Sequence, residues 1–114
     1  MPAQVQSRPR SGDPLAALSS PRRREILRLI WERERSAGEI ASAFDVTWPA
    51  ISQNLRVLRE SGLVTERRLG TSRMYMADRK ALRPLEAYLQ SMWARRVDRL
   101  RLSAEAEERS RSSN

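Results

Sequence analysis

The chain has 114 residues, with 22 Lys or Arg against 14 Asp or Glu, and its formal net charge is +8. It contains no cysteine and no histidine, which excludes disulfides, thiolate or imidazole metal ligands, and catalysis by a Ser-His or Cys-His pair. It also lacks an apolar run near the ~18 residues that a membrane span needs, and its N-terminal stretch is unlike a signal peptide. We therefore expect one cytoplasmic domain that uses no metal or cofactor and does not bind membranes.

The basic residues are distributed unevenly along the sequence. Residues 55–73 hold five arginines against two acids, and residues 79–101 hold seven basic groups against two acids, whereas residues 103–114 are slightly acidic. A general arginine bias of the source proteome would spread the charge more evenly. The clustering therefore favours a polyanionic partner, such as nucleic acid.

The first third of the sequence predicts an extended arm and two helices. Residues 1–12 are rich in Pro, Gly and Ser and poor in apolar side chains, which is typical of disorder. Asp13 and Ser20 are each followed by proline, and this combination predicts a helix start at both places. In the second helix, the expected apolar face holds Ile26, Leu27 and Ile30, and the expected outer face holds Arg24 and Arg28.

The middle of the sequence predicts two further helices joined by a short turn. Ser36 and Glu39 have the spacing of a capping box, which predicts a short helix that runs to Phe44. Thr47 is a suitable N-cap for the next helix, over residues 48–60. The side chains of the shorter helix that we expect to be available for burial are Ile40, Ala43 and Phe44.

The helix over residues 48–60, which ends before Gly62, has two contrasting faces. At about 100° per residue, its narrow apolar face consists of three residues, namely Ile51, Leu55 and Leu58. Its opposite face is small and polar, and consists of Pro49, Ser52, Gln53 and Arg56. A solvated face more often carries Glu and Lys, so this composition indicates a binding surface.

Two strands and a final helix are predicted to follow. Residues 63–69 and 73–77 have the pattern of strands, with a turn over residues 70–72. The final helix begins or kinks at Pro84, and we expect its long apolar stripe to pack on a partner helix, although part of it could instead line a ligand pocket. The stripe consists of Leu82, Leu85, Tyr88, Leu89, Met92 and Trp93, and Arg96 falls on it too. The organised domain is predicted to span residues 13–102, and residues 103–114 are predicted to fray.

A helix-turn-helix followed by a hairpin is typical of DNA-binding proteins, in which the second helix lies in the major groove. Gln53 can present a donor and an acceptor to adenine, and Arg56 can reach guanine or a phosphate. Arginines near the hairpin tip suit the strongly negative minor groove. The predicted DNA-contacting residues are Thr47, Trp48, Pro49, Ser52, Gln53, Asn54, Arg56, Arg67, Arg68, Thr71, Ser72 and Arg73.

Some members of this set have an alternative role. Trp48 can contact a sugar or a thymine methyl, but the helical wheel places it at the edge of the apolar face and favours partial burial. Asn54 contacts phosphate or bonds a neighbouring backbone group, with equal weight. The direction of Arg67 depends on strand register, and Thr71 and Ser72 can serve as turn residues only.

Four stretches of the chain resemble the ArsR family of winged-helix repressors. They are residues 13–27 (DPLAALSSPRRREIL), 36–41 (SAGEIA), 49–64 (PAISQNLRVLRESGLV) and 67–75 (RRLGTSRMY). A lone helix-turn-helix pattern would be a weak signal, whereas ordered matches over most of the chain are a strong one.

The resemblance implies a homodimeric repressor that is mainly α with a small β-hairpin and dimerises through its first and last helices. Its recognition helix and wing would bind an imperfect palindrome in a promoter. Trp48 and Asn54 stand where the family often has Gln and His. The expected interface residues are Leu15, Leu18, Leu82, Leu85, Tyr88, Leu89, Met92, Trp93 and Arg96.

Many members of that family sense metals through Cys pairs near the recognition helix, or through His and Asp side chains on the last helix. Because this chain has neither Cys nor His, it resembles the metal-independent branch, which includes autorepressors. No effector follows from the sequence. Two other classes stay open, namely a basic protein that binds nucleic acid without sequence preference and an adaptor that binds a partner protein through its last helix. An enzyme is not expected.

Overall fold

The computed structural model describes residues 12–95, which form six α-helices and a small three-stranded antiparallel sheet. The helices are α1 (Pro14–Ala17), α2 (Pro21–Leu29), α3 (Ala37–Ala43), α4 (Trp48–Glu60), α5 (Arg79–Leu82) and α6 (Glu86–Arg95). The strands are β1 (Arg35–Ser36), β2 (Val64–Leu69) and β3 (Ser72–Ala77). The mainly helical fold with a hairpin between the fourth and fifth helices agrees with the sequence-based prediction.

The four N-terminal helices begin where the sequence predicts. In each, the side chain of the preceding residue accepts a hydrogen bond from a backbone N–H of the first turn, which otherwise lacks a partner. The capping box of α3 is complete, because Ser36 Oγ accepts from Glu39 N at 3.1 Å and Glu39 Oε1 accepts from Ser36 N at 2.8 Å. The capping residues are Asp13, Ser20, Ser36 and Thr47.

The end of α4 and the hairpin tip each depend on a glycine with positive φ. Gly62 has φ 74°, and the backbone N–H of Leu63 donates to the carbonyl of Leu58 at 3.0 Å, which is the pattern of a glycine-terminated helix. Gly70 has φ 63° and joins two strands that pair from Val64 opposite Ala77 to Leu69 opposite Ser72. The chain therefore leaves α4 for β2 at Gly62 and reverses between β2 and β3 at Gly70.

The sheet has a third strand that the sequence did not predict. Strand β1 pairs with β3, so that the strand order is β1-β3-β2, and Arg35 lies opposite Tyr75. A strand of two residues is too short to show the alternation on which strand prediction relies. The final helix is divided by Pro84, as predicted, because α5, a 3-10 turn (Arg83–Leu85) and α6 follow one another.

The core lies where α2, α3 and α4 meet the base of the hairpin and the last helix. Most of the fully enclosed apolar side chains of residues 12–95 belong to these elements, and Ile30 just after α2, Leu63 just before β2 and Leu82 at the end of α5 complete the core. The largest are Ile26, Leu27, Ile30, Ile40, Ile51, Leu55, Leu58, Leu63, Leu82 and Leu89. The predicted apolar faces of α2 and α4 are therefore confirmed.

Two sequence-based expectations for the helices are wrong. Arg24, expected on the outer face of α2, is buried, because its guanidinium Nη1 donates to the Leu18 carbonyl at 2.6 Å and its Cζ lies 6.0 Å from the centre of the Tyr88 ring. Ala43, expected to be available for burial, is exposed at the end of α3. Helical periodicity alone cannot identify a carbonyl acceptor on another element.

Gly12 is the one residue of the predicted N-terminal arm that the structure describes. Gly12, assigned to the arm, donates its backbone N–H to the Glu60 carbonyl at 3.1 Å, so this residue is attached to the end of α4. The rest of the predicted arm, the predicted tail over residues 103–114 and Arg96 lie outside the described residues. Within residues 12–95, no helix has the length and apolar character needed to cross a bilayer.

We predict that Leu27→Ala lowers the free energy of unfolding by about 2–5 kcal/mol, because Leu27 is fully buried and its truncation leaves a cavity. Urea denaturation measures this change. Leu69→Ala is the matched control, since Leu69 is 53% exposed on the hairpin, and its effect should stay near 0.5 kcal/mol or less, as is typical of surface sites. Equal losses in both variants would contradict this assignment of the core.

Candidate nucleic-acid interface

The outer face of α4 forms the centre of the candidate site. Because Ile51, Leu55 and Leu58 anchor the opposite face in the core, the side chains of the outer face are held away from the protein. The exposed residues of this face are Pro49, Ser52, Gln53 and Arg56. Within residues 12–95, Ser52 and Gln53 form no side-chain hydrogen bond, so both are available to an external partner.

The first turn of α4 differs from the sequence-based expectation at Trp48. Partial burial was expected, but Trp48 is 55% exposed. Its Cζ2 lies 3.5 Å from the position that a Cβ on Gly38 would occupy, so the ring covers the glycine of α3 with one edge and presents the rest to solvent. Thr47 acts as the helix cap, with Oγ1 accepting from Ala50 N at 3.3 Å.

Asn54 is engaged with the protein on both sides of its amide. Its Nδ2 donates to the Ala50 carbonyl at 2.9 Å, and its Oδ1 accepts from Arg23 Nη1 at 3.4 Å. Arg23 in turn donates through Nε to the Ala17 carbonyl at 2.8 Å, and burial lowers the pKa of its guanidinium. The structure shows the bond from Asn54 to a neighbouring backbone group, and the contact with a phosphate stays a prediction.

One face of the hairpin carries an arginine pair and a carboxylate. Arg68 lies directly opposite Arg73, and Glu66 lies opposite Tyr75. Glu66 Oε1 accepts from Arg59 Nη1 of α4 at 3.0 Å and lies 3.5 Å from Arg73 Nη1. Burial raises the pKa of the Tyr75 hydroxyl, and the nearby Glu66 charge adds to this shift.

The other face of the hairpin carries Arg67, whose direction the sequence left open. The Arg67 guanidinium forms a two-point contact with Glu34, in which Nε donates to Oε2 at 2.9 Å and the Nη2 group donates to Oε1. Hydrogen bonding from Arg67 lowers the pKa of the Glu34 carboxyl, and the same contact raises the pKa of Arg67. Arg67 is therefore held by Glu34 in the loop that precedes β1.

The arginines of the site differ in how firmly they are held. Arg56 pairs with Glu60 at 3.1 Å on the exposed surface of α4, where such a pair contributes little and opens readily. Arg67 and Arg73 contact carboxylates, as described above. Arg68 is exposed and, within the described part of the chain, forms no hydrogen bond or ion pair. Thr71 and Ser72 are exposed beside it at the hairpin tip.

A second set of exposed and half-buried apolar side chains lies on α1, on the 3-10 turn and on α6. Leu15 is 67% exposed and Tyr88 is 47% exposed, and the half-buried members are Leu85, Met92 and Trp93. The indole N–H of Trp93 donates to the Arg24 carbonyl at 3.1 Å, and its ring meets the edge of the Trp31 ring with centroids 5.2 Å apart.

Three residues of the predicted interface belong to the protomer core instead. Leu18, Leu82 and Leu89 are each 3% exposed or less and belong to the buried core cluster, so the chain itself covers these side chains. A side chain that is already covered adds no area to an interface, so these three residues are removed from the predicted contact surface.

Sequence reasoning missed Glu34, Glu66 and Arg23. Glu34 contacts a residue 33 positions away, and Arg23 contacts one 31 positions away, so only the folded structure brings these pairs together. From the sequence, Arg59 contributes only to the basic cluster of residues 55–73. The sequence does contain one signal for these contacts, namely the arginines on both sides of the predicted turn. Like charges so close together need nearby carboxylates to reduce their repulsion.

The fold and this surface define a winged helix-turn-helix protein. A model of the family described as "Bacterial regulatory protein, arsR family" matches residues 20–66. The HTH-type transcriptional regulator Rv2034 of Mycobacterium tuberculosis is 37% identical over 79 residues, which are 69% of this chain and 74% of that protein. The chain therefore belongs to the arsR family of bacterial regulatory proteins, which are transcriptional regulators and not enzymes.

Two further relatives are similar to this chain. The transcriptional repressor SdpR of Bacillus subtilis is 37% identical over 54 residues, which are 47% of this chain and 60% of that protein. The homodimeric winged helix-turn-helix DNA-binding domain Mb0332 of Mycobacterium bovis has a solved structure with 33% identity and a TM-score of 0.62, covering 72% of this chain and 76% of that one. These matches confirm the predicted fold.

We predict that Arg67→Gln raises the pKa of Glu34 back towards its ordinary value of 4.5, because the hydrogen bond that lowers it is lost. Carboxyl titration by NMR measures this pKa in the parent and in the variant. A lowered folded-state pKa stabilises the protein above about pH 4.5, and this contribution is lost as the pH falls through the lowered pKa. An unchanged Glu34 titration in the variant would contradict the contact.

Proposed function

We propose that this protein is a dimeric repressor that binds a palindromic promoter operator, with α4 in the major groove and the hairpin at the minor groove. The observation that carries the proposal is the exposed polar face of α4, whose Ser52 and Gln53 lack partners within the described residues. Membership of the arsR family supports the same conclusion. The protein would act on chromosomal DNA in the cytoplasm, associated with the nucleoid.

The α4 residues would read the bases. Gln53 has the amide that suits adenine, Ser52 can bond to several bases, and Arg56 suits guanine or a phosphate once it leaves Glu60. Trp48, at the N-terminal end of α4, would contact a sugar or a thymine methyl with its exposed ring. Because the N-terminal end of a recognition helix meets base edges, exposed Trp48 and Pro49 would lie closest to the groove floor.

Arg68 would be the principal anion contact of the wing. It is the wing arginine for which the described residues provide no acceptor, so it can bind a phosphate or enter the minor groove without first breaking an ion pair. Arg73 would also bind the DNA, but it would first have to break its contact with Glu66. Arg67, held by Glu34, would mainly position the wing, and Thr71 and Ser72 would approach the backbone at its tip.

The exposed apolar surface of α1 and α6 would form the dimer contact. Its remaining members are Leu15, Leu85, Tyr88, Met92 and Trp93. The similarity to the homodimeric Mycobacterium bovis domain supports self-association. Arg96, which the sequence also assigns to this contact, is outside the described residues. A dimer would place two recognition helices about one DNA turn apart, ~34–36 Å, and so would bind a palindrome.

Repression and metal independence complete the proposal. A dimer bound across a promoter would block the polymerase, and the similarity to the repressor SdpR supports this direction of regulation. The chain has no Cys or His, and within residues 12–95 no group of acidic side chains could hold a metal ion. Regulation would therefore use a non-metal effector or the concentration of the repressor itself.

Selection from a randomised duplex pool at near-physiological salt tests the proposed function. The full chain is incubated with the pool and the bound fraction is sequenced. We expect a palindrome whose half-sites lie about one helical turn apart, and lower expression of a reporter placed behind it. Binding without enrichment would identify a non-specific nucleic-acid-binding protein, and absence of duplex binding would favour a protein adaptor. Higher reporter expression would identify an activator.

We predict that Gln53→Ala weakens binding to the enriched duplex by about 1–3 kcal/mol and relaxes the preference at one base position per half-site. The control is a duplex with that base pair replaced, to which the parent and the variant should bind alike. Fluorescence anisotropy measures both affinities. Because the Gln53 side chain forms no hydrogen bond within residues 12–95, its thermal unfolding should match the parent, and unchanged operator affinity would refute its role.

We predict that Arg68→Ala weakens binding to every duplex and reduces the slope of log K against log salt by about 0.9 per lost phosphate contact. Arg83→Ala is the matched control, since Arg83 is also exposed and without an ion pair in the described region, but lies beyond the base of the hairpin, about 20 Å along β3 from its tip. The slope of this control should equal that of the parent. If only Arg83→Ala reduced the slope, the DNA would contact the surface near Arg83 and not the hairpin.

A further inference from the structure

The carboxylate of Glu66 joins the recognition helix to the wing. Its Oε1 accepts from Arg59 Nη1 of α4 at 3.0 Å and lies 3.5 Å from Arg73 Nη1 of β3. Its Oε2 is buried and has no hydrogen-bond partner within residues 12–95. One carboxylate oxygen therefore connects two arginines on different elements, and the side chain is enclosed on its other side.

The pairing partners fix the position of this carboxylate. Glu66 is only 24% exposed at its side chain, and it lies on β2 directly opposite buried Tyr75. Its strand position is therefore set by the hairpin, while Arg59 is set by the last turn of α4. A contact between two rigid elements restricts their relative orientation, which a pair within a single helix cannot do.

We propose that Glu66 is a positioning residue for DNA recognition, which holds the wing at a fixed angle to the recognition helix and keeps Arg59 and Arg73 from binding phosphates of unselected DNA. This inference rests on the proposed function and deepens it. An acidic residue at a DNA-binding surface weakens binding to any duplex. Its benefit is that α4 and the wing engage their grooves together only on the correct site.

Glu60 provides a matched control for charge. It pairs with Arg56 at 3.1 Å and is also close to the proposed DNA surface, but both partners belong to α4. Glu60→Gln therefore removes one negative charge without affecting the orientation of the wing. Glu66→Asp provides the complementary control, because it keeps the charge but shortens the side chain by one methylene and cannot span both arginines.

The test compares the full-length parent with these three variants on the duplex enriched by selection and on a scrambled duplex. For Glu66→Gln, the slope of log K against log salt should increase by up to about 1.8, because two arginines become available to phosphates, and for Glu60→Gln by up to about 0.9. The ratio of specific to non-specific affinity should fall about tenfold in Glu66→Gln and Glu66→Asp. In Glu60→Gln this ratio should not fall, because Arg56 no longer has to leave Glu60 before it binds and the wing keeps its orientation.

The affinity ratio separates positioning from simple loss of stability. Partial unfolding lowers both affinities by the same factor, so it leaves the ratio unchanged. An unchanged ratio in Glu66→Gln and Glu66→Asp, with a parent that selects a palindrome, would overturn the positioning role and leave the proposed function intact. A parent that selects no sequence would overturn both. An equal fall in Glu60→Gln would show that charge alone sets the ratio, and would also overturn the role.

Discussion

The burial of Ile51, Leu55 and Leu58 along one face of α4 is the constraint on which the site depends. Each buried aliphatic side chain contributes about 1.5–3 kcal/mol, so rotation of α4 about its axis would be costly. Because the apolar face of α4 is buried in the core, the polar face on the opposite side of the helix is exposed to solvent. Thr47 fixes where the helix starts, and Gly62 fixes where the chain leaves it for the hairpin.

Charge is arranged on this scaffold so that the free protein can carry a dense arginine surface. Carboxylates pair with most of its arginines: Glu60 with Arg56 on α4, Glu66 of β2 with Arg59 and Arg73, and Glu34 of the loop before β1 with Arg67. These pairs are partly or largely exposed, where ion pairs contribute little to stability. Their main effect is to fix the positions of the paired arginines and to make them less available to another anion. Arg68 has no such pair within residues 12–95, so it is more available than its neighbours.

Local signals predicted most of the fold, and long-range contacts explain what they missed. Caps and prolines identified helix starts because the bonds they make span two or three residues. The faces of α4 followed from helical periodicity alone. By contrast, the burial of Arg24 depends on a carbonyl of another element, and the Glu34 contact depends on the register of β2. Trp48 is exposed because its first-turn position reaches beyond the core.

A pair of opposed arginines links the stability of the hairpin to anion binding. Arg68 and Arg73 lie directly opposite each other in the β2–β3 register, and like charges in this position destabilise a strand pair. Glu66 relieves this repulsion only at Arg73. A phosphate near Arg68 would supply the missing negative charge, so anion binding would stabilise the hairpin that performs it. The sequence thus keeps a locally unfavourable pair whose repulsion is relieved by the proposed partner.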